Sequence, residues 1–361
     1  MKTPDFYKWI TQKFPLAILP ITENFAQDYN GVRAPLDLSL PPPTGRIVDN
    51  LYLDLTGIIS ACCHPKHKPA PPTEEHVMVA ICEYIDHLFA LIRPRNLLYI
   101  AVDGVVPRAV MRHRQFQHFQ PGPPARPTEW IFSEVEQKSG MVDHNSTTQT
   151  EPILIAPGTS FMAHLTSCLH YHVAKCINRE SAWQTIKVII SDSAVPGEAR
   201  HKVMDFIRAQ RTSYCYKANT RHVLYGPDAD LIMLALITHE PHFAILREHF
   251  DGWVNPVGSE FCLVQIDVLR EYLQVELSGS KQPLNGNHLE ATIDDWVFLY
   301  FMANCPFLPA LPHLKRQAGG FGDLIEIWQD IFAQRGTYLT HGCNLDLGFL
   351  QMMLCNLAES E

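Results

Sequence analysis

The sequence predicts an α/β protein: a mostly parallel central sheet flanked by helices, with additional helices toward the C-terminus. Three observations predict it. Short apolar runs of strand length alternate with longer segments whose apolar residues recur at helical spacing. The runs are apolar almost throughout, as in strands covered on both faces. The chain has 361 residues, of which 46% are hydrophobic and 19% charged, enough to bury a large core.

The elements follow in order. Phe6, Tyr7, Trp9, Ile10 and Phe14 give a first helix its apolar face. Residues 20–48 are polar and proline-bearing and read as a long surface connection. Asn50 to Leu55 is a strand with Asp54 near its end. After the Pro- and Lys-rich loop from Pro65 to Pro72, Thr73 caps a helix that aligns Val77, Met78, Ile81, Tyr84, Ile85 and Leu88. Leu97 to Val102 is a second strand, ending at Asp103-Gly104, and a helix bearing Arg108, Arg112 and Arg114 follows it. Residues 121–152 are a Pro/Ser/Thr-rich excursion. Thr159 starts a helix through Phe161, Leu165, Leu169 and Val173; His170 and His172 read as its polar face. Ile186 to Ile190 is a strand leading to Asp192 and Glu198, and Ala199 to Arg211 a helix.

His222 to Tyr225 is the next strand, broken by Gly226-Pro227. Asp228 and Asp230 then open an apolar helix, where carboxylates suit the positive N-terminus. Phe243 to Leu246 and Phe261 to Ile266 are further strands, and 277–291 a polar loop. Helical patterns near 293–304, 320–334 and 345–358 close the chain, with Met352-Met353-Leu354 in core packing. The expected organisation is a core over 1–250 and a mostly helical continuation over 251–361, with no internal repeat.

A formal charge of −9 means that nucleic acid would need a local basic surface. No run has the length of a membrane span, and the first residues have no signal-peptide pattern. The ten cysteines include no Cys-x-x-Cys. Cys62-Cys63-His64 with His67 has zinc-ligand types but no second ligand pair, so reduced, mostly buried thiols of the nucleus or cytosol are expected.

Asp54, Asp103, Asp192 or Glu198, and Asp228 with Asp230 all follow apolar strands. In an open parallel sheet the carboxyl ends of strands lie along one edge, where ligands bind. Carboxylates gathered there repel one another unless cations neutralise them, and divalent metals that bridge a phosphate are the usual occupants.

At this point the chain resembles a family. NLYLDLTGII (50–59), residues 74–111, APGTSFM (156–162), SDSAVPGEARHKVMDFIRAQR (191–211), residues 219–248 and DDWVFLYFMANCPFLPALP (294–312) are similar, in order, to the N-terminal nuclease region of the Xrn/Rat 5′→3′ exoribonucleases, nearest to the nuclear Rat branch. The resemblance implies a PIN/flap-nuclease-like core and carries five metal-binding, catalytic acids onto Asp54, Asp103, Glu198, Asp228 and Asp230. No second conserved region is expected after Glu361, and a short link from Asp251 to Glu260 stands where some nuclear members carry a zinc-knuckle insert.

The departures fall on the implied site. Arg200 stands where the family's PGEGEHK has its second Glu, and Pro306 where GNDFLP has its Asp. Arg200 brings a fixed positive charge that suits pairing with Glu198 or Asp228, mimicking a cation. In the implied 5′-phosphate pocket, Val110 replaces Lys, Arg114 replaces Gln, and Gln117 and His118 replace two Arg; Arg108, Arg112 and Arg114 remain as cations. Ser60 replaces a base-stacking His. The expectation is an impaired or inactive family member that holds at most one Mg²⁺ weakly and binds single-stranded RNA or a protein partner, in the nucleus with the cytoplasm as the alternative. The competing readings are a Mg²⁺-dependent nuclease with five acids and a relaxed 5′-end requirement, and the family's ordinary processive enzyme.

Overall fold

The computed structural model describes residues 3–21, 42–63, 65, 71, 73–111, 155–248, 261–277, 286–304 and 320–359. The expectations for Arg112, Arg114, Gln117, His118, Pro306, His64, His67, the excursion at 121–152 and the link at 251–260 lie outside them.

Seven strands form one sheet: β1 (Ile18–Ile21), β2 (Asn50–Asp54), β3 (Leu97–Ala101), β4 (Lys187–Ser191), β5 (His222–Tyr225), β6 (Phe243–Glu248) and β7 (Phe261–Gln265). Their order is β1-β7-β6-β5-β2-β3-β4. The pairs β5/β2, β2/β3 and β3/β4 are parallel, in the mostly parallel arrangement that the unbroken apolar runs predict.

The chain forms two compact units. One comprises residues 21–227 with 246–261 and contains the parallel strands β5, β2, β3 and β4. Its helices are α2 (Leu55–Cys63), α3 (Glu74–Ile92), α4 (Ser160–Arg179), α5 (Ser181–Gln184) and α6 (Ala199–Arg211). Thr73 and Thr159 cap α3 and α4: each side chain accepts the third backbone N–H onward, from His76 and Met162. Leu51, Leu53, Leu98 and Ile100 are fully buried, and Phe89 stacks on Trp183 at 4.4 Å.

The other unit comprises residues 1–20, 228–245 and 262–361. It holds α1 (Thr3–Lys13), α7 (Asp230–Leu236), α8 (Ile266–Leu277), α9 (Gly286–Asn304), α10 (Gly320–Arg335), a hairpin of β8 (Thr340–His341) and β9 (Asn344–Leu345), and α11 (Leu347–Glu359). Phe6, Trp296, Tyr300 and Phe321 form its aromatic centre, with Phe6 and Tyr300 at 4.3 Å. Asp295 is fully buried. Trp328 Nε1, Leu339 N, Thr340 N and Thr340 Oγ1 donate to it at 2.6 to 2.8 Å, which satisfies a carboxylate that burial would otherwise make costly.

Several expectations change. The polar loop expected over 277–291 gives way at Gly286 to α9, which is longer than its apolar pattern because its first turn is polar. The helix expected near 345–358 begins at Leu347, after the hairpin. After Asp103-Gly104 a helix begins at Arg108 as expected, and its described part runs to Met111. His170 is exposed as expected, but His172 is buried, because it continues the stripe Leu165, Leu169, Cys176 at helical spacing. Met353 is buried as expected, whereas Leu354 is 41% exposed.

Candidate functional site

The carboxyl ends of β2, β3 and β4 are level. Asp54 pairs in register with Ala101, and Ala101 with Ser191. Val102 N donates to Ser191 O, so the pairing runs one residue past β3 and delivers Asp103 into the turn. The turns after β3 and β4 are then tied together: Gly104 N donates to Gly197 O and Gly197 N to Val105 O, each at 2.9 Å. A Cβ on Gly104 would lie 1.9 Å from Val195 O, so only glycine fits there. Gly57 of α2 makes a similar close approach, 3.0 Å from the Pro227 ring to a Cβ.

Asp54, Asp103, Asp192 and Glu198 each have a backbone or side-chain partner that orients them. Asp54 is buried, and its Oδ1 accepts Thr56 N at 3.0 Å, across the start of α2. Asp103 Oδ1 accepts Ala199 N at 2.7 Å, so a carboxylate from the β3 turn caps α6. Asp192 Oδ1 accepts Ala194 N at 3.0 Å within its own turn. Glu198 is the N-cap residue of α6 but makes no capping bond with its side chain. That carboxylate is held by Arg200, whose Nη2 and Nε donate to Oε2 at 2.6 and 3.0 Å. The Glu198 side chain is 7% exposed and that of Arg200 25%. One turn further, the buried Lys202 donates to Val102 O at 2.8 Å and Asp192 O at 2.7 Å. Burial lowers its pKa, while Asp103 and Asp192 pull the other way.

Asp228 and Asp230 follow β5 in sequence and belong to the other unit. Asp228 lies in the turn before α7, where its carbonyl accepts Leu231 N; Asp230 is the first residue of the helix. The expectation that both open the helix therefore holds for Asp230 alone. Tyr300 donates to Asp230 Oδ1 at 2.7 Å. Burial, then Asp230 and Asp228, push the Tyr300 hydroxyl to a higher pKa, so it stays a donor.

Of the residues implied for the 5′ end, Arg108 is exposed on the 108–111 turn, Val110 is half-buried, and Ser60 is half-buried in α2. Lys202 is a structural cation that the sequence reading did not mark, although its place between Ala199 and Val203 on the buried stripe of α6 was visible. Tyr84 and Tyr225 were also missed. Their hydroxyls lie 2.9 Å apart, and Tyr84 donates to Glu248. Burial raises the Tyr225 pKa, and Glu248 and then Asp54 add to the rise.

Asp54 and Asp103 offer hard oxygen donors on carboxylates fixed by backbone N–H groups, a set that fits Mg²⁺. Glu198 fits less well, because Arg200 already neutralises it.

Residues 1–249 match the family model described as XRN 5'-3' exonuclease N-terminus, and residues 287–361 the one described as Xrn1 helical domain. The chain is 39% identical to 5'-3' exoribonuclease 2 of Gallus gallus over 401 residues, covering 100% of this chain and 42% of that protein. It is 38% identical to the Schizosaccharomyces pombe protein of the same name, covering 100% of this chain and 40% of the relative. It is also 38% identical to the 5'-3' exoribonuclease 2 homolog of Drosophila melanogaster, covering 100% and 44%. The chain spans about two fifths of the length of these curated relatives. On the family match over residues 1–249 and identity across its whole length, the chain belongs to the XRN 5'-3' exonuclease family.

Proposed function

We propose that this chain is a 5′→3′ exoribonuclease-family module that binds single-stranded RNA in the nucleus and hydrolyses it weakly or not at all. The observation that carries the reading is the Arg200–Glu198 pair. A guanidinium stands on a buried carboxylate, with two donors on Oε2, where the family pattern has a second acid. In a cluster of acids an internal cation takes over the neutralising role that a bound metal has elsewhere. Asp54 and Asp103 remain as oxygen donors for one Mg²⁺; Asp228 and Asp230 join the proposal through the sequence pattern alone. A bound Mg²⁺ supplies polarisation of a phosphate and acidification of water. The chain's own part is to hold the carboxylates in place, through the Thr56 and Ala199 amides. Removal of one member of a coupled catalytic group generally costs most of the rate.

The test is incubation of the purified chain with 5′-monophosphorylated single-stranded RNA in Mg²⁺ and in Mn²⁺, with products resolved by length and binding followed by anisotropy. Binding with no progressive shortening is expected. Stepwise removal of nucleotides from the 5′ end at the pace of a processive enzyme overturns the impaired-site reading. Failure to bind RNA at low salt overturns the module itself.

A further inference from the structure

We propose that Asp86, His172 and Cys176 form a zinc-class metal site that clasps α3 to α4. Among the described residues these three side chains are the group of His, Cys and acidic ligands close enough to share one ion, with ligand atoms all within 4.8 Å of one another. His172 and Cys176 are four residues apart on α4 and so lie on one helix face. Asp86 comes from α3, within the same compact unit.

The geometry is close to that of a metal-loaded site. Zn²⁺ holds sulfur at about 2.3 Å, imidazole nitrogen at about 2.0 to 2.1 Å and carboxylate oxygen at about 2.0 to 2.2 Å, in a tetrahedron. Those lengths separate sulfur from nitrogen by about 3.6 Å, sulfur from oxygen by about 3.5 to 3.7 Å, and nitrogen from oxygen by about 3.3 to 3.5 Å. Here Cys176 Sγ is 3.6 Å from His172 Nε2 and 3.9 Å from Asp86 Oδ1. His172 Nε2 is 2.8 Å from Asp86 Oδ1, the length of a hydrogen bond, so this edge opens by about half an ångström to admit the ion. A sulfur, a nitrogen and an oxygen donor together suit Zn²⁺ or Co²⁺ and not Mg²⁺.

The surroundings favour a held ion. His172 and Cys176 are buried, and Trp183 meets the His172 ring edge-on at 88°, fixing its plane. The Asp86 side chain is 43% exposed, which leaves an entry path and a side for water as fourth ligand. Without metal the three groups satisfy one another by hydrogen bonds. One turn back on both helices, Cys82 and Cys168 face each other at 3.8 Å. They are the internal control, since they present thiols between the same helices without an imidazole.

The experiment titrates metal-stripped protein with Co²⁺ in saturating Mg²⁺, which fills oxygen sites, and a non-thiol reductant; Zn²⁺ then displaces the Co²⁺. One equivalent of Co²⁺ with thiolate-to-metal absorption in the near ultraviolet is expected. Cys176→Ser abolishes the absorption, His172→Gln weakens binding by more than about tenfold, and the double variant Cys82→Ser, Cys168→Ser leaves both unchanged. The proposal is overturned by Co²⁺ binding without that absorption, by absorption that survives Cys176→Ser, or by its loss in the double variant. Zinc-edge X-ray absorption on the unsubstituted chain decides the matter should a variant not fold. One sulfur neighbour supports the site; none, or two, overturns it.

Discussion

Replacing Arg200 by alanine tests the proposal that its guanidinium takes the place of a metal cation. The Glu198 side chain is 7% exposed and Arg200 donates to its Oε2 through two nitrogens. Breaking a buried pair by removing one partner costs about 3 to 5 kcal/mol. Arg200 is 25% exposed, so water already screens part of the pair and about 2 to 4 kcal/mol is expected. At about 2.1 cal/mol/K per residue, the unfolding entropy of 361 residues is about 0.76 kcal/mol/K. The melting temperature should therefore fall by about 3 to 5 °C. On the proposed reading, a carboxylate freed of its cation is available to a metal. Mg²⁺ at ten times its dissociation constant returns about 1.4 kcal/mol to the folded state. The assay is thermal unfolding of both proteins across a Mg²⁺ series, with NaCl keeping ionic strength constant. The melting temperature of Arg200→Ala should climb with Mg²⁺ well beyond that of the unsubstituted chain. Equal Mg²⁺ responses in the two proteins would refute the idea that Arg200 occupies the place of a cation.

Three further outcomes are expected. RNA binding should be salt-sensitive and indifferent to a 5′ hydroxyl, monophosphate or triphosphate, because Val110 donates nothing and Gln117 carries no charge; a tenfold preference for the monophosphate in a three-RNA titration contradicts this. Gly104→Ala should lose more than about 3 kcal/mol in urea unfolding, since its Cβ meets Val195 O at 1.9 Å and the two ties to Gly197 must break. Gly45→Ala, with φ +63° but nothing within 4 Å, should lose only about 1 to 2 kcal/mol, and similar losses for both would undo the steric argument. Burial raises the Cys62 thiol from 9.0 to about 11 and the Cys63 thiol to about 12, so the folded state keeps protons that the unfolded chain releases. That contribution is complete below pH 9 and is lost as pH rises through 11 to 12; Cys62→Ser with Cys63→Ala should flatten the alkaline fall in urea midpoint, and an unchanged fall argues against it.

Much of the fold was legible because local signals and tertiary burial agree. Strand β5 and helix α6 have the bounds that apolar runs and helical spacing predict, and Thr73 and Thr159 act as the caps their position implies. What was not legible depends on partners distant in sequence. The polar first turn of α9 carries no apolar signal, and the β8/β9 hairpin is two residues per strand. Its Thr340 is held instead by the buried Asp295. Tyr84 and Tyr225 are 141 residues apart, and no local pattern joins them. His172 was legible and misread, since its spacing from Leu169 and Cys176 places it on the apolar stripe. Residues i and i+2 of a helix do not face each other. The Glu198–Arg200 pair forms because Glu198 is the extended N-cap residue, with φ −72° and ψ 145°, outside the helix proper.

On the proposed reading, the same carboxylates explain how this scaffold would tolerate the loss of ligands. A group that only bound metal would be free to vary once metal no longer mattered, and a buried one would become a liability. Asp54 and Asp103 are not in that position. Asp54 holds the first turn of α2 through Thr56 N, and Asp103 caps α6 through Ala199 N. Each such cap contributes about 1 kcal/mol with or without an ion. Glu198 makes no cap with its side chain, and it is the acid that a guanidinium neutralises. The acids with a structural task in the sheet-edge turns are thus held by backbone amides, whereas the one without such a task is paired with Arg200. Asn in place of Asp103 keeps an oxygen acceptor for Ala199 N while removing the charge. Fold stability should therefore survive Asp103→Asn and suffer in Asp103→Ala, and Mg²⁺ binding should weaken in both.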